Sequence, residues 1–181
     1  ITEMLTSYSA LGGVTAALYT GESGAERTAV TKDGLITDRN IIRDTAPDIL
    51  LTNYKMLDQL LLRPADARLW QQSATSLQYL VLDEFHTYDG AQGTDVSMLL
   101  RRLGKTLKSY WSADDESLTE ADRARPLGRI TAVATSATLG DGNDPTEMLD
   151  FAHTVFGDEF GADAVVTESR LSLDDWSGDA A

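Results

Sequence analysis

The sequence predicts an α/β domain built on a mainly parallel sheet flanked by helices, and three observations carry that prediction. Short apolar runs stand at residues 49–51, 79–82 and 130–134, the mark of buried strands, and the run at 79–82 has the lack of alternation expected of a strand covered on both faces. Between the runs, apolar residues fall at helical spacing, as in Val96, Leu99, Leu100, Leu103 and Leu107. Two of the runs end abruptly in polar residues, Asp83-Glu84 and Thr135-Ser136-Ala137-Thr138. In a parallel sheet the ligands gather at the carboxyl ends of the strands, so these two places are where chemistry is expected.

Taken in order, Ile1, Met4, Leu5, Tyr8 and Leu11 follow the i, i+3, i+4, i+7 spacing of a helix, stopped by Gly12-Gly13 before a strand at 14–19. Residues 21–34 are polar and predicted to be loop, and 37–44 a short helix. Pro47 precedes the strand that opens at Ile49, and Asn53 is placed to cap a helix burying Met56, Leu57, Leu60 and Leu61. The helix after Asp83-Glu84 carries Arg101, Arg102, Lys105 and Lys108 on what is expected to be a solvated face. Residues 112–125 are a polar, acidic excursion with a short helix. Asp144, Pro145 and Glu147 form a start signal for a helix that buries Met148, Leu149, Ala152, Val155 and Phe156 and ends at Gly157. A last strand is expected at 164–166, and His153 is expected to be partly buried packing. No internal repeat or low-complexity tract is present.

The composition narrows the chemistry. At 181 residues and 42% apolar content the chain suffices for one substantial core. No apolar run approaches the roughly 20 residues of a membrane span, and no basic lead or cleavage site marks a secretory start, so a soluble, cytoplasmic protein is expected. Without cysteine, and with only His86 and His153 as imidazoles, the sequence favours a hard ion held by oxygens over a zinc cage. Its 29 acidic and 15 basic residues, a net charge of -14, argue against a broad positive face. Nucleic-acid phosphates would then be met by backbone amides and helix N-termini, or by basic surface on partner domains. The chain opens on Ile1 and closes on a polar, acidic stretch at 172–181, which suggests a piece of something larger.

Paired carboxylates at a strand end suit phosphoryl transfer, which needs one acid to hold hydrated Mg²⁺ and one group to orient water. Asp83 fits the first role and Glu84 the second. An isolated Asp-Glu pair is more simply a solvated strand end; its company decides otherwise. Asp83-Glu84-Phe85-His86 resembles the Walker B motif of superfamily 2 DEAD/DEAH-box helicases, and Ser136-Ala137-Thr138 resembles their Ser-Ala-Thr motif. Residues 45–53, which contain Pro47, Thr52 and Asn53, are similar to the segment that grips the nucleic-acid backbone. Thr20-Gly21 stands where the smaller Thr-Gly contact lies. All four occur in family order. Asn53-Tyr54-Lys55-Met56-Leu57, His86-Thr87-Tyr88-Asp89-Gly90 with Gly93, and Leu100-Arg101-Arg102-Leu103 bring the match closest to YprA-like and Lhr-like DNA helicases, over residues 8–156.

The resemblance implies a RecA-like first motor domain that uses ATP and Mg²⁺ on DNA, with RNA the lesser alternative. Asp83 would hold the metal through water, Glu84 would polarise water, and His86 would join the nucleotide to Ser136 and Thr138. Thr20, Gly21, Pro47, Thr52 and Asn53 would meet the strand. Capping is open to Ser136 and Thr138 as a plainer role, and Asn53 is expected to cap whatever else it does. Trp70, Trp111 and Trp176 are too scattered for a base-stacking platform.

One family element is missing from these residues. No Gly-rich loop ending in Gly-Lys-Ser or Gly-Lys-Thr occurs; Gly12-Gly13 and Gly21-Glu22-Ser23-Gly24 lack both its spacing and its lysine. The expectation is a partial first motor domain at 1–168, with 169–181 starting an interdomain linker or tail. A P-loop segment and a second RecA-like domain would be its partners. Truncation and true loss of the loop are both open, so the alternatives are a helicase part, inactive alone, and a degenerate binding or scaffold module. A third, an unrelated Mg-dependent hydrolase, needs another carboxylate near Asp83, and Asp48 precedes its strand at the wrong end.

Overall fold

A computed structural model describes residues 1–21, 25–88, 90–136 and 145–166. Its elements run α1 (Thr2–Ser7), β1 (Ala16–Tyr19), α2 (Arg39–Asp44), β2 (Ile49–Thr52), α3 (Tyr54–Leu62), α4 (Ala67–Ser73), β3 (Tyr79–Leu82), α5 (Gly90–Lys108), α6 (Glu120–Ala124), β4 (Thr131–Ala134) and α7 (Thr146–Phe156). Strands alternate with helices, as the sequence pattern implies.

Both ladders are parallel. Strand β1 pairs with β2, with Tyr19 opposite Thr52, and β3 pairs with β4, with Leu82 opposite Ala134. At the amino end of the first ladder, the Thr15 backbone N–H and hydroxyl each donate to Asp48 Oδ2 at 2.8 Å, and the Asp48 N–H donates back to Thr15 Oγ1 at 3.0 Å. These bonds hold the Asp48 carboxyl below its ordinary range, the backbone N–H first and the hydroxyl second.

One core joins the ladders. Ala17 and Tyr19 from the first, with Ile36 bridged to Ala17, meet Leu60 and Trp70 from α3 and α4, and Phe85, Val96, Leu100, Leu103, Val155 and Phe156 continue it beneath the second. Helix α5 is long because its apolar residues form an unbroken stripe, packing on α3, α4 and α7. Helix α7 ends where Gly157 adopts a φ of 80°, the left-handed conformation glycine takes without a Cβ penalty. The Asn53 side chain caps α3, accepting from the Met56 N–H at 2.9 Å.

Several expectations need correction. The first helix stops at Ser7, where Tyr8 turns extended, and Ile1, Met4 and Tyr8 are exposed; a short helix that buries none of its residues is not extended by its spacing alone. Among the described residues strand β3 is covered on one face only, since Tyr79 is 63% and Val81 58% exposed while Leu80 and Leu82 pack on the core. Residues 164–166 form no strand: a 3-10 turn at Ala162–Ala164 leads to Val166, which is 91% exposed.

The basic face of α5 is not free either. Arg101 donates to the carbonyls of Thr154, Val155 and Phe156, closing the end of α7, while Arg102 pairs with Asp58 and Lys108 reaches the carbonyls of Arg123 and Arg125. His153 is exposed, its Nδ1 lying 3.1 Å from the Asp158 carbonyl. Helix α4 went unpredicted because Leu69-Trp70 is too short an apolar signal; Trp70 is buried and donates to the Leu60 carbonyl at 2.9 Å. Asp144 and residues 167–181, with the expected tail and Trp176, lie outside the described residues.

Candidate functional site

Parallel pairing of β3 with β4 brings their carboxyl ends to one place, and the chain reverses there within a few residues. Glu84 has φ 52° and ψ 46°, and no other non-glycine among the described residues has positive φ. A left-handed conformation costs an L-residue roughly 1–2 kcal/mol, so the surroundings must hold it. They do: the Phe85 N–H donates to the Thr135 carbonyl at 2.8 Å, and the buried Phe85 ring lies 4.8 Å from Phe151 and stacks on Phe156 at 5.5 Å. The kink sends Phe85 into the core and leaves Asp83 and Glu84 at the surface.

Two side-chain pairs cross from β3 to β4 at this end. Thr135 donates its hydroxyl to Asp83 Oδ1. His86 Nδ1 lies 2.9 Å from Ser136 Oγ, and its Nε2 lies 3.6 Å from Glu84 Oε2. The imidazole thus stands between Glu84 and Ser136, the second residue after β4. Asp83, Glu84, His86 and Ser136 are brought together; Thr138 lies outside the described residues. Among the described residues no three His, Asp or Glu side chains gather as a metal cage.

Thr135 was not singled out by sequence, although it stands one step past the Leu82–Ala134 pair, where parallel register sets it beside Asp83. Tyr88 is another missed neighbour. Burial first, then the Asp83 carboxylate and Tyr54, push its phenol above the ordinary value.

The first ladder builds a second edge. Thr20-Gly21 and Asn53 follow β1 and β2, and the Thr52 hydroxyl donates to the Tyr19 carbonyl at 2.7 Å, locking the two strand ends. Thr20, Gly21, Thr52 and Asn53 therefore share one end. Pro47 does not join them, because it precedes β2 and lies at the opposite end, about 16 Å away along a strand. Asp48 sits at that far end too, held by Thr15, and completes nothing around Asp83.

Comparison with known proteins decides the family. The DEAD/DEAH box helicase family model matches residues 9–144, three quarters of the chain. The chain belongs to the DEAD/DEAH box helicases. It is 32% identical over 120 residues to the Druantia protein DruE of Escherichia coli, covering 62% of this chain. It is 34% identical over 107 residues to the ATP-dependent helicase YprA of Bacillus subtilis, covering 58% of this chain, and 34% identical over 95 residues to the ATP-dependent helicase MJ1574 of Methanocaldococcus jannaschii, covering 52%. The chain spans 6% of DruE, 14% of YprA and 12% of MJ1574. In fold it is similar to the DUF1998 helicase MrfA, solved bound to DNA, with a TM-score of 0.51 and 21% identity over 81% of this chain and 15% of that one. The α/β, RecA-like class is thereby shown for this DEAD/DEAH box domain. Among the described residues no helix is long and apolar enough to cross a membrane.

Proposed function

We propose that residues 1–168 are part of the first motor domain of a cytoplasmic ATP-dependent DNA helicase or translocase, with 169–181 leading into a linker or tail. The observation that carries this reading is the pair of contacts at one strand end, Asp83 with Thr135 and His86 with Ser136. They join Asp83 and His86, on either side of Glu84, to Thr135 and Ser136. DNA is favoured over RNA because MrfA, similar in fold, was solved on DNA.

The residues fit a Mg²⁺-nucleotide. Mg²⁺ keeps most of its water and takes only one or two protein carboxylates, so the exposed carboxylates of Asp83 and Glu84 suit it. Asp83, oriented by Thr135, would hold the hydrated ion, and Glu84 would accept a hydrogen bond from the attacking water and aim it. When bound, Mg-ATP supplies the phosphoanhydride bond and the cation that offsets charge on the transferred phosphoryl group. His86, between Glu84 and Ser136, would carry the state of the acids into the segment containing Thr138. At the other edge, Thr20, Gly21, Thr52 and Asn53 would meet phosphates through hydroxyls, an unhindered backbone and the α3 N-terminus. That mode suits a chain with a net charge of -14. A P-loop segment and a second RecA-like domain of the same protein would complete the motor.

A second reading, a helicase-like binding or scaffold module, is favoured by one observation: residues 1–181 contain no Gly-x-x-x-x-Gly-Lys-Ser or Gly-x-x-x-x-Gly-Lys-Thr loop, and Gly104-Lys105-Thr106 lies inside α5 with Leu99 where that pattern has its first glycine. Magnesium-dependent ATP hydrolysis by the full-length protein that contains these residues, with and without single-stranded DNA, separates the two. The motor reading expects strand-stimulated turnover that E84Q abolishes, and no turnover by residues 1–181 alone. Absence of turnover in the full-length protein would leave the scaffold reading.

A further inference from the structure

The acid-bearing end of β3 and the strand-contact end of β2 are joined by two tyrosines. Tyr54 directly follows Asn53 as the first residue of α3, and Tyr88 closes the 3-10 turn Phe85–Thr87 that carries His86. Their rings meet edge to face at 6.4 Å and 87°. Such pairs have a defined geometry and resist sliding.

The turn that carries Tyr88 is confined on its other sides. Phe85 is buried against Phe151 and Phe156, and Tyr88 itself packs on the Phe85 ring at 6.4 Å. The Tyr88 carbonyl abuts α5 so closely that a Cβ added at Gly93 would stand 2.2 Å from it. With α5 and the Phe cluster behind it, displacement of the turn is directed toward Tyr54. On the far side, Tyr54 cannot move without its neighbour Asn53, whose side chain is fixed as the α3 cap at 2.9 Å.

We propose that Tyr54 and Tyr88 are positioning residues that transmit between the two ends, so that a change at Asp83, Glu84 and His86 alters the seating of Thr52 and Asn53 on a nucleic-acid strand. This inference rests on the motor reading and adds a route that does not pass through Ser136 and Thr138. Neither tyrosine touches the reacting atoms. Their contribution lies in the dependence of one end on the other, not in the chemistry of either.

The test uses the full-length protein with Mg-ATP and single-stranded oligo-dT, measuring strand-free turnover, its KM for ATP, and the stimulation by oligo-dT. Y54L and Y88L should each reduce stimulation by about fivefold or more, the lower end of usual coupling factors, with strand-free turnover and KM retained. Y54F and Y88F keep the rings and should keep the stimulation. The Y54L/Y88L pair should lose no more than either single change, because one contact is broken once. Undiminished stimulation in both leucine variants overturns the relay and leaves the motor reading intact. So does a parallel fall in strand-free turnover, which marks plain structural damage, or additive losses in the double variant. A wild-type protein without strand-stimulated turnover removes the motor reading and the relay together.

Discussion

Replacing Gly93 by alanine sets two effects of opposite sign against each other. Helix propensity favours alanine over glycine inside a helix by roughly 0.5–1 kcal/mol. Gly93 is buried in the first turns of α5, however, where a Cβ would stand 2.2 Å from the Tyr88 carbonyl and 3.1 Å from the Phe151 ring. Carbon and oxygen approach no closer than about 3.3 Å even in weak hydrogen bonds, so helix and turn must part by roughly 1 Å. Overpacking of this kind costs about 1–3 kcal/mol, which exceeds the propensity gain. G93A should therefore destabilise by roughly 1 kcal/mol, lowering the melting temperature by about 2–4 °C for a chain of this size. Gly104 offers an internal comparison, since its Cβ would meet the Pro126 carbonyl at 2.0 Å, away from the candidate site. Both variants should melt below wild type, but only G93A should disturb His86, visible as changed imidazole shifts by NMR. A G93A protein that melts above wild type would refute the close approach of α5 to the turn.

Other consequences follow from buried charge and from hydrogen bonds at the strand ends. Asp66 is 0% exposed and is held by Arg43 Nε at 2.5 Å, with its second oxygen unpartnered. R43M should cost about 3 kcal/mol in chemical denaturation, and R43M/D66L less than R43M alone, because the second change removes a stranded carboxylate; a greater loss in the double variant would contradict this. For Asp48, whose folded pKa is depressed, the linked stability is present above the ordinary carboxylate pKa and is lost as pH falls through the folded value. T15V removes the hydroxyl but not the backbone N–H, so Asp48 should titrate higher, though still below its ordinary value. An unchanged NMR titration of Asp48 in T15V would exclude the hydroxyl as a cause.

Patterning made most of the fold legible. The four strands emerge from short apolar runs, and α5 and α7 from long stripes with clear ends, because burial in those places depends on local spacing. What patterning could not supply was the partner of each face. Ile1, Met4 and Tyr8 have helical spacing yet are exposed, and Tyr79 and Val81 have strand composition yet are not covered by any of the described residues. The basic stripe of α5 likewise looked solvated, yet Arg101 and Lys108 close distant carbonyls, a role fixed only by tertiary folding. At the candidate site the residue types were legible in Asp83, Glu84, His86 and Ser136. Thr135 and the Tyr54–Tyr88 contact were not, because they arise from register and from the meeting of two ladders.

The acid pair is tested most directly by metal occupancy in the full-length protein. With Mn²⁺ in place of Mg²⁺ and ATP present, electron paramagnetic resonance counts the bound ion. Wild type and E84Q should each retain a nucleotide-dependent Mn²⁺, because Glu84 is assigned to water, whereas D83N should lose it. Undiminished nucleotide-dependent Mn²⁺ binding in D83N would contradict the assignment of Asp83 to the metal and, with it, the reading of this strand end as a nucleotide site.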